Sequence, residues 1–289
     1  MAIAAEKLKA KDYKSTVPPT WCPGCGDYSV LNSALNAYAE LGIDMDNTVN
    51  VSGIGCSSRF PYFVKTYGMH TAHGRALPAA MGVQIANPSL RVFVTGGDGD
   101  GFSIGGGHVP HVARKNVDIT YIVMDNQIYG LTKGQVSPTS RPDFVATTTP
   151  YGTPDEPIDP ILYTLTYGAT FVARASAGNP KMLRSIIVEA LNHRGFAFVD
   201  VLSACPTFNK VDTPESYKAN TAEIPEGHDR KDFNKAMDLA INGVDGKMAL
   251  GVLYQVEKPT LNDKLEAINK KANGSDTYDL NKIVDLYKP

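Results

Sequence analysis

Residues 91–102, Arg-Val-Phe-Val-Thr-Gly-Gly-Asp-Gly-Asp-Gly-Phe, decide the fold. RVFVTG reads as a β-strand that delivers Gly97, Asp98, Gly99, Asp100 and Gly101 at its carboxyl end. Glycines there let backbone N–H groups approach a phosphate, and the helix expected next points its positive end the same way. The following apolar strand, DITYIVMDN, ends in Asp125-Asn126, 28 residues after Asp98, which fits a turn, a helix and a return strand. Two adjacent parallel strands would then present Asp98 and Asn126 side by side, at the edge where open α/β sheets bind ligands. An Asp, an Asn amide oxygen and a backbone carbonyl form an oxygen set suited to Mg²⁺, with diphosphate oxygens and water completing the shell. The dinucleotide fingerprint fails because Phe102 stands where its last glycine belongs, and the P-loop lysine is absent. A glycine-rich turn with exposed aspartates is the other reading of a bare GDG, and the asparagine closing the next strand weighs against it.

Outward from this segment, strands alternate with helical patterns as far as about residue 205. DYSVLNSALNAYAEL reads as a helix with Asp27 as N-cap and Gly42 as its stop. TVNVSGI is extended, Ala76–Ala86 a small-residue helix, and Ile104 to Arg114 a further helix. Gln127 to about Pro160 is long and irregular, a length at which loops carry function or cover a site. KMLRSIIVEALNHRG and FAFVDVLSA follow as helix and strand. The pattern predicts an α/β fold, a mainly parallel sheet with helices on both faces, whose almost continuously apolar strands require two-sided burial. Beyond Cys205 the pattern loosens. DRKDFNKAMDLAIN places Phe233, Met237, Ala240 and Ile241 on one helical face, and MALGVLYQV reads as one more strand. The expected division is a domain over 1–210 and a C-terminal extension over 211–289, packed on the domain or on a partner.

Composition narrows the function classes. The chain has 289 residues, 43% apolar and 20% charged, enough to build a large core. A net charge of -2 gives no global positive field, so a dedicated nucleic-acid binder is disfavoured. No apolar run is long enough to span a bilayer, and the N-terminal charges interrupt any signal sequence. A cytoplasmic protein is expected.

Cys22, Cys25, Cys56 and Cys205 are unevenly spaced, which suits metal or redox use better than disulfide stapling. Cys22-Pro-Gly-Cys25 sits just before a helix, whose N-terminus favours thiolate and a nearby anionic cluster. Cys56 and Cys205 each follow an extended run at the sheet edge that carries Asp98, so convergence is expected. Iron–sulfur cluster, zinc and unrelated buried cysteines all remain open on spacing alone.

The segments WCPGCG, GIGCSSR, HTAHGRALPAA, GGDGDGFSIGGGH, DNQIYGLTKGQVSPTS and SACPTFN together resemble the β subunits of the 2-oxoacid:ferredoxin oxidoreductases, over at least residues 18 to 210. The resemblance implies the thiamine-diphosphate-binding fold. It makes Asp98, Asn126 and the Ile128 carbonyl the Mg²⁺ ligands. It places Ile54, Gly55, Cys56, Ser57, His73, Gly97, Gly99, Asp100, Gly130 and Leu131 along thiamine diphosphate. Cys22, Cys25, Cys56 and Cys205 become the ligands of one [4Fe–4S] cluster. His73 has a plainer reading as a hydrogen-bonded turn residue before a helix.

The same resemblance implies oxidative decarboxylation of a 2-oxoacid, with coenzyme A taking the acyl group and ferredoxin the electrons, or the reverse carboxylation. The glutamate that activates the cofactor would lie on a separate α subunit, in an α2β2 assembly. IYGLTKGQVSPTS resembles 2-oxoglutarate members most, and Arg59 and Lys133 are the cations expected to receive a dicarboxylic substrate. Solvent exposure of both, or a coenzyme A contact for Lys133, is the plainer reading. Runners-up are a pyruvate or broad-specificity member, a non-redox thiamine-diphosphate subunit and a non-catalytic zinc subunit.

Overall fold

A computed structural model describes residues 8–272 and 280–288. Residues 1–7, which carry part of the N-terminal charge pattern, and 273–279 and 289, which belong to the expected extension, lie outside the described residues. The strands are β1 Thr48–Ser52, β2 Tyr67–His70, β3 Arg91–Gly97, β4 Ile119–Asp125, β5 Ile128–Tyr129, β6 Gln135–Val136, β7 Phe171–Ser176, β8 Phe196–Leu202, β9 Thr221–Glu223 and β10 Met248–Gln255. The helices are α1 Asp27–Leu41, α2 Ala76–Ala86, α3 Val109–Lys115, α4 Pro160–Thr166, α5 Pro180–Asn192, α6 Pro214–Asn220, α7 Phe233–Asn242, α8 Leu261–Lys271 and α9 Leu280–Asp285.

The main sheet runs β2-β1-β3-β4-β8-β7-β10-β9. Every pairing is parallel except β7 with β10. β4 and β8 are buried along their whole length, as their mainly apolar sequences require. Alternate side chains divide two cores. Phe93, Ile122, Phe171 and Val199 meet α1 and α5 on one face. Val92, Val94, Tyr121, Phe196 and Phe198 pack on the other face, which carries α2, α3, α4 and α7. Phe171, Phe196 and Phe198 are fully buried, and each such side chain contributes about 1.5–3 kcal/mol of transfer free energy. β5 and β6 form a separate two-stranded hairpin just after the β4 end.

Several local expectations are corrected. Gly26, not Asp27, is the N-cap of α1; the Asp27 carboxylate is buried and accepts from Ser203 Oγ at 2.7 Å. The helix expected over 104–114 begins later, as α3 at Val109, after a five-residue π-turn at Asp100–Ile104 and a turn over 105–108. A helical turn opens at Asp98 and Gly99 and continues as the π-turn. On α7 the buried residues are Ala236 and Ala240, while Ile241 is 62% exposed. β2, β7 and α4 have no counterpart in the sequence pattern. Among the described residues no helix is long and apolar enough to cross a membrane.

Candidate active site at the carboxyl edge of the sheet

The strand ends converge as the sheet order dictates. β3 and β4 are adjacent and parallel with Gly97 opposite Met124, so Asp98 and Asn126 both leave the sheet at one edge. β1 lies on the other side of β3 and delivers Gly53 to Cys56, while β8 flanks β4 and delivers Ser203 to Cys205. Between these turns lies a cavity of about 240 Å³. Ile54, Gly55, Cys56, Ser57, His73, Gly97, Asp98, Gly99, Asp100, Asn126, Ile128, Gly130 and Leu131 all line it, joined by Tyr129 and Thr132. A larger groove of about 560 Å³ sits at the strand starts, around Arg91 and Asp118, and holds none of the predicted residues.

Asp98 and Asp100 are each only 2% exposed, which removes the solvent-facing turn as an account of the GDG. Burial pushes the Asp98 carboxyl up to about 6, against hydrogen bonds from Ser137 and Thr139. Burial, then the charge of Asp98, raises Asp125 well above the usual carboxylate range. The desolvated Asp98 carboxylate and the Asn126 amide oxygen line the same cavity, a donor pair that a divalent cation would relieve. Asn126 Oδ1 accepts the Ile128 N–H at 3.1 Å, and Gln127 between them takes φ +57°. This tight Asx turn holds the Ile128 segment against the cavity.

Asp100 lines the cavity and also braces its walls. Its Oδ1 accepts from Ile54 N at 2.8 Å and Gly74 N at 2.7 Å, and lies 2.9 Å from His73 Nδ1. Through Oδ1 the carboxylate knits the turns after β1 and β2 to the GDG, while Oδ2 is buried without a hydrogen-bond partner. With Nδ1 so engaged, His73 keeps its other ring nitrogen for a neighbour. Gly99 is required by crowding, since a Cβ there would strike the Tyr129 ring, whose hydroxyl donates to Gly99 O at 3.1 Å.

The four cysteines come to the same edge as free thiols. Cys25 N donates to Cys22 O at 3.0 Å, and Gly26 N to Ala204 O at 3.1 Å, so the CPGC turn rests on the Cys205 segment. Trp21 Nε1 donates to the Cys56 carbonyl at 2.7 Å. A Cβ on Gly130 would lie 3.7 Å from both Cys56 Sγ and Cys205 Sγ. Burial and then Asp27 push the Cys56 thiol up to about 11, with Arg59 acting against them. Burial raises Cys25 further still. Among the described residues, no three His, Cys, Asp or Glu side chains stand close enough to hold one metal ion.

The two cations expected at the substrate do not line the cavity. Arg59 donates to Thr20 O at 3.2 Å and Thr20 Oγ1 at 3.1 Å, beside the cysteines. Lys133 is exposed at the rim, with its backbone at φ +78°. Residues that the sequence reading does not single out include Tyr129, Thr139 and Asn209. Thr139 and Asn209 lie within SPTS and SACPTFN, and they act through contacts to distant segments.

Fold and edge together define a thiamine-diphosphate-binding α/β protein. The family model described as thiamine pyrophosphate enzyme, C-terminal TPP binding domain, matches residues 53–201. A second family model, for the C-terminal part of the pyruvate ferredoxin oxidoreductase beta chain, matches 205–270. The 2-oxoacid:ferredoxin oxidoreductase 2, subunit beta, of Aeropyrum pernix is 42% identical over 270 residues, 89% of this chain and 87% of that protein. The 2-oxoglutarate oxidoreductase subunit KorB of Mycobacterium tuberculosis is 48% identical over 201 residues, 70% of this chain, and the match spans 54% of that relative's length. Among solved structures, a 2-oxoglutarate:ferredoxin oxidoreductase from Magnetococcus marinus, with 2-oxoglutarate, coenzyme A and succinyl-CoA bound, superposes with a TM-score of 0.94 at 57% identity. That match covers 98% of this chain and 97% of the other. The chain belongs to the β subunits of the 2-oxoacid:ferredoxin oxidoreductases.

Proposed function

We propose that this chain is the cofactor-carrying subunit of an enzyme that converts 2-oxoglutarate and coenzyme A to succinyl-CoA and CO2, passing the electrons to ferredoxin, or runs the reverse carboxylation. The observation that carries the proposal is the convergence of Asp98, Asn126 and Ile128 with Cys56 and Cys205 around one cavity. Asp98, the Asn126 amide and the Ile128 carbonyl would hold Mg²⁺, and Gly97 and Gly99 keep side chains away from a diphosphate. Bound thiamine diphosphate supplies the electron sink for decarboxylation, and a [4Fe–4S] cluster on Cys22, Cys25, Cys56 and Cys205 accepts electrons singly. A cluster spreads its ligands more widely than a single ion does, which suits four thiols gathered at one edge. Asp100 fixes the walls and orients His73, while Ile54, Gly55, Ser57, Gly130 and Leu131 exclude water.

A cavity of about 240 Å³ is small for a whole cofactor with substrate, since ligand sites usually hold about 300–1,000 Å³. That size supports a site completed by an α subunit, which would bring the activating glutamate, in an α2β2 assembly. Arg59 and Lys133 would serve the substrate carboxylates, Lys133 from the rim. Residues 1–210 would carry both cofactors, with 211–289 packed on that domain or on the partner. A cytoplasmic setting fits a reduced cluster.

The test is anaerobic preparation with the α partner, followed by iron, sulfide and zinc analysis and an oxoacid assay. About four irons and four sulfides per β chain, bleached by 2-oxoglutarate, are expected. Stoichiometric zinc without sulfide would sink the electron-transfer reading. Faster turnover of pyruvate than of 2-oxoglutarate would move the proposal to the broader 2-oxoacid class.

A further inference from the structure

Asn209 ends the SACPTFN stretch and is 1% exposed. Its amide is fully committed. Oδ1 accepts the N–H groups of Val211 at 3.1 Å and Asp212 at 2.9 Å. Nδ2 donates to Asp212 Oδ2 at 3.0 Å and to the backbone carbonyl of Asn126 at 3.1 Å. Its own N–H donates to Cys205 O at 3.2 Å. One residue therefore ties to the Cys205 carbonyl through its backbone N–H and to the turn that bears Asn126, 83 residues before it, through its side chain.

The two turns also meet at Gly130, where a Cβ would lie 3.7 Å from Cys205 Sγ and 3.8 Å from Asn126 Nδ2. The space between them is thus set from both sides, by a missing side chain at Gly130 and by a braced one at Asn209. Behind Asn209, Asp212 is fully buried and ion-paired with Arg141 on the long segment after β6. Only an amide fits this position. A carboxylate could not donate to the Asn126 carbonyl and would face the carboxylate of Asp212. An alanine would strand donors and acceptors on both turns.

We infer that Asn209 is a positioning residue that sets the gap between the Mg²⁺-and-diphosphate turn at Asn126 and the cysteine turn at Cys205. It thereby governs how fast electrons cross from one cofactor to the other. This rests on the function proposed above. Electron transfer slows steeply as the gap widens, so a loosened brace is read out in a rate that bulk folding does not control.

The experiment uses the αβ holoenzyme, wild type and Asn209→Asp, prepared anaerobically and assayed for iron, sulfide and bound thiamine diphosphate. Calorimetric titration gives the affinity for Mg²⁺–thiamine diphosphate. Stopped-flow bleaching by 2-oxoglutarate, at saturating cofactor, gives the rate of cluster reduction. The expected result is full iron and sulfide, a Kd raised about tenfold and bleaching slowed about tenfold, the usual scale for losing a residue that braces a metal ligand. Wild-type bleaching and wild-type Kd, with only a lowered Tm, would assign Asn209 to folding alone and overturn the inference. A wild-type cluster that bleaches with dithionite but never with the 2-oxoacid would overturn the functional proposal, and this one with it. If Asn209→Asp fails to assemble, Arg141→Gln decides, because it loosens Asp212 from a half-exposed position. Slower bleaching at saturating cofactor supports the brace, and an unchanged rate overturns it.

Discussion

Thr139 and Asp98 are 41 residues apart in sequence, yet the Thr139 hydroxyl stands 2.9 Å from Asp98 Oδ2. The same hydroxyl lies 2.9 Å from Asp125 Oδ1, so it sits between two buried carboxylates. Ser140 Oγ pins the turn further, donating to Gln127 O at 2.6 Å. The segment after β6 thus fixes one oxygen of the carboxylate assigned to Mg²⁺. Thr139→Val should raise the Kd for Mg²⁺–thiamine diphosphate about tenfold, while Thr139→Ser should stay near wild type. Calorimetric titration checks both. Equal affinities in all three proteins would mean that Asp98 needs no such support.

The cysteine assignment gives a separable outcome. Cys205→Ser should abolish bound iron, sulfide and the bleachable visible band, yet leave thiamine-diphosphate affinity within about threefold, because the diphosphate set contains no sulfur. Metal analysis beside the same titration distinguishes the two. Unchanged iron in Cys205→Ser would remove this residue from the ligand set.

Lys133 holds φ +78° at the cavity rim, a conformation that a non-glycine residue keeps only against strain. If its ammonium receives the distal carboxylate, Lys133→Ala should lower kcat/KM for 2-oxoglutarate about tenfold or more, and for 2-oxobutyrate far less. Steady-state kinetics with both substrates is the check. Equal losses would shift Lys133 to a role common to both reactions, such as binding coenzyme A.

Arg174 on β7 donates to Asp200 Oδ2 at 2.8 Å in the register partner on β8, and reaches the Asp159 cap of α4 at 3.2 Å. Arg174 and Asp200 are both buried. Arg174→Met should cost about 3–5 kcal/mol, because it leaves Asp200 charged and unpaired in the sheet, and adding Asp200→Leu should recover much of that loss. Chemical denaturation of the single and double variants tests the coupling. Additive losses would show that the pair does not act as one unit.

Burial pushes His193 down to about 4, with Glu257 opposing. An unfolded histidine titrates near 6.5, so between those two values the unfolded chain binds more protons. The contribution of His193 is therefore present above about pH 6.5 and is lost as pH falls toward 4. His193 is buried against Thr170, and the effect over that window is about 2–3 kcal/mol. His193→Gln should show a correspondingly flatter fall in denaturation midpoint between these pH values. Parallel curves for the two proteins would remove His193 from the acid sensitivity.

The sheet edge is legible in the sequence because strand periodicity and turn glycines are local. Asp98, Asn126, Cys56 and Cys205 each sit within a few residues of a strand end, and a parallel order brings those ends together. What escapes such a reading depends on distant partners. β7 contains Arg174, which a sequence pattern counts as polar, and only Asp200 across the ladder together with the Asp159 cap makes its burial tolerable. All four residues of β2 are exposed on an edge, so no buried alternation marks it. Asp27 looks like a cap, but Ser203 claims its carboxylate from 176 residues away. The bracing contacts of Asp100 to Ile54 and Gly74 escape a reading of spacing, because both partners lie on other turns. Thr139 and Asn209 carry no local signal beyond the strings that hold them, since their partners lie on other turns.

Trp21 is the sole tryptophan in the chain, and its indole N–H is tied to the carbonyl of Cys56. Emission from this protein excited at indole wavelengths therefore comes from a single spot, one hydrogen bond from a residue assigned to the cluster. A nearby chromophore that absorbs across the near ultraviolet would drain that excited state. Loss and recovery of the cluster would then be visible as brightening and dimming of an intrinsic lamp, without any added label.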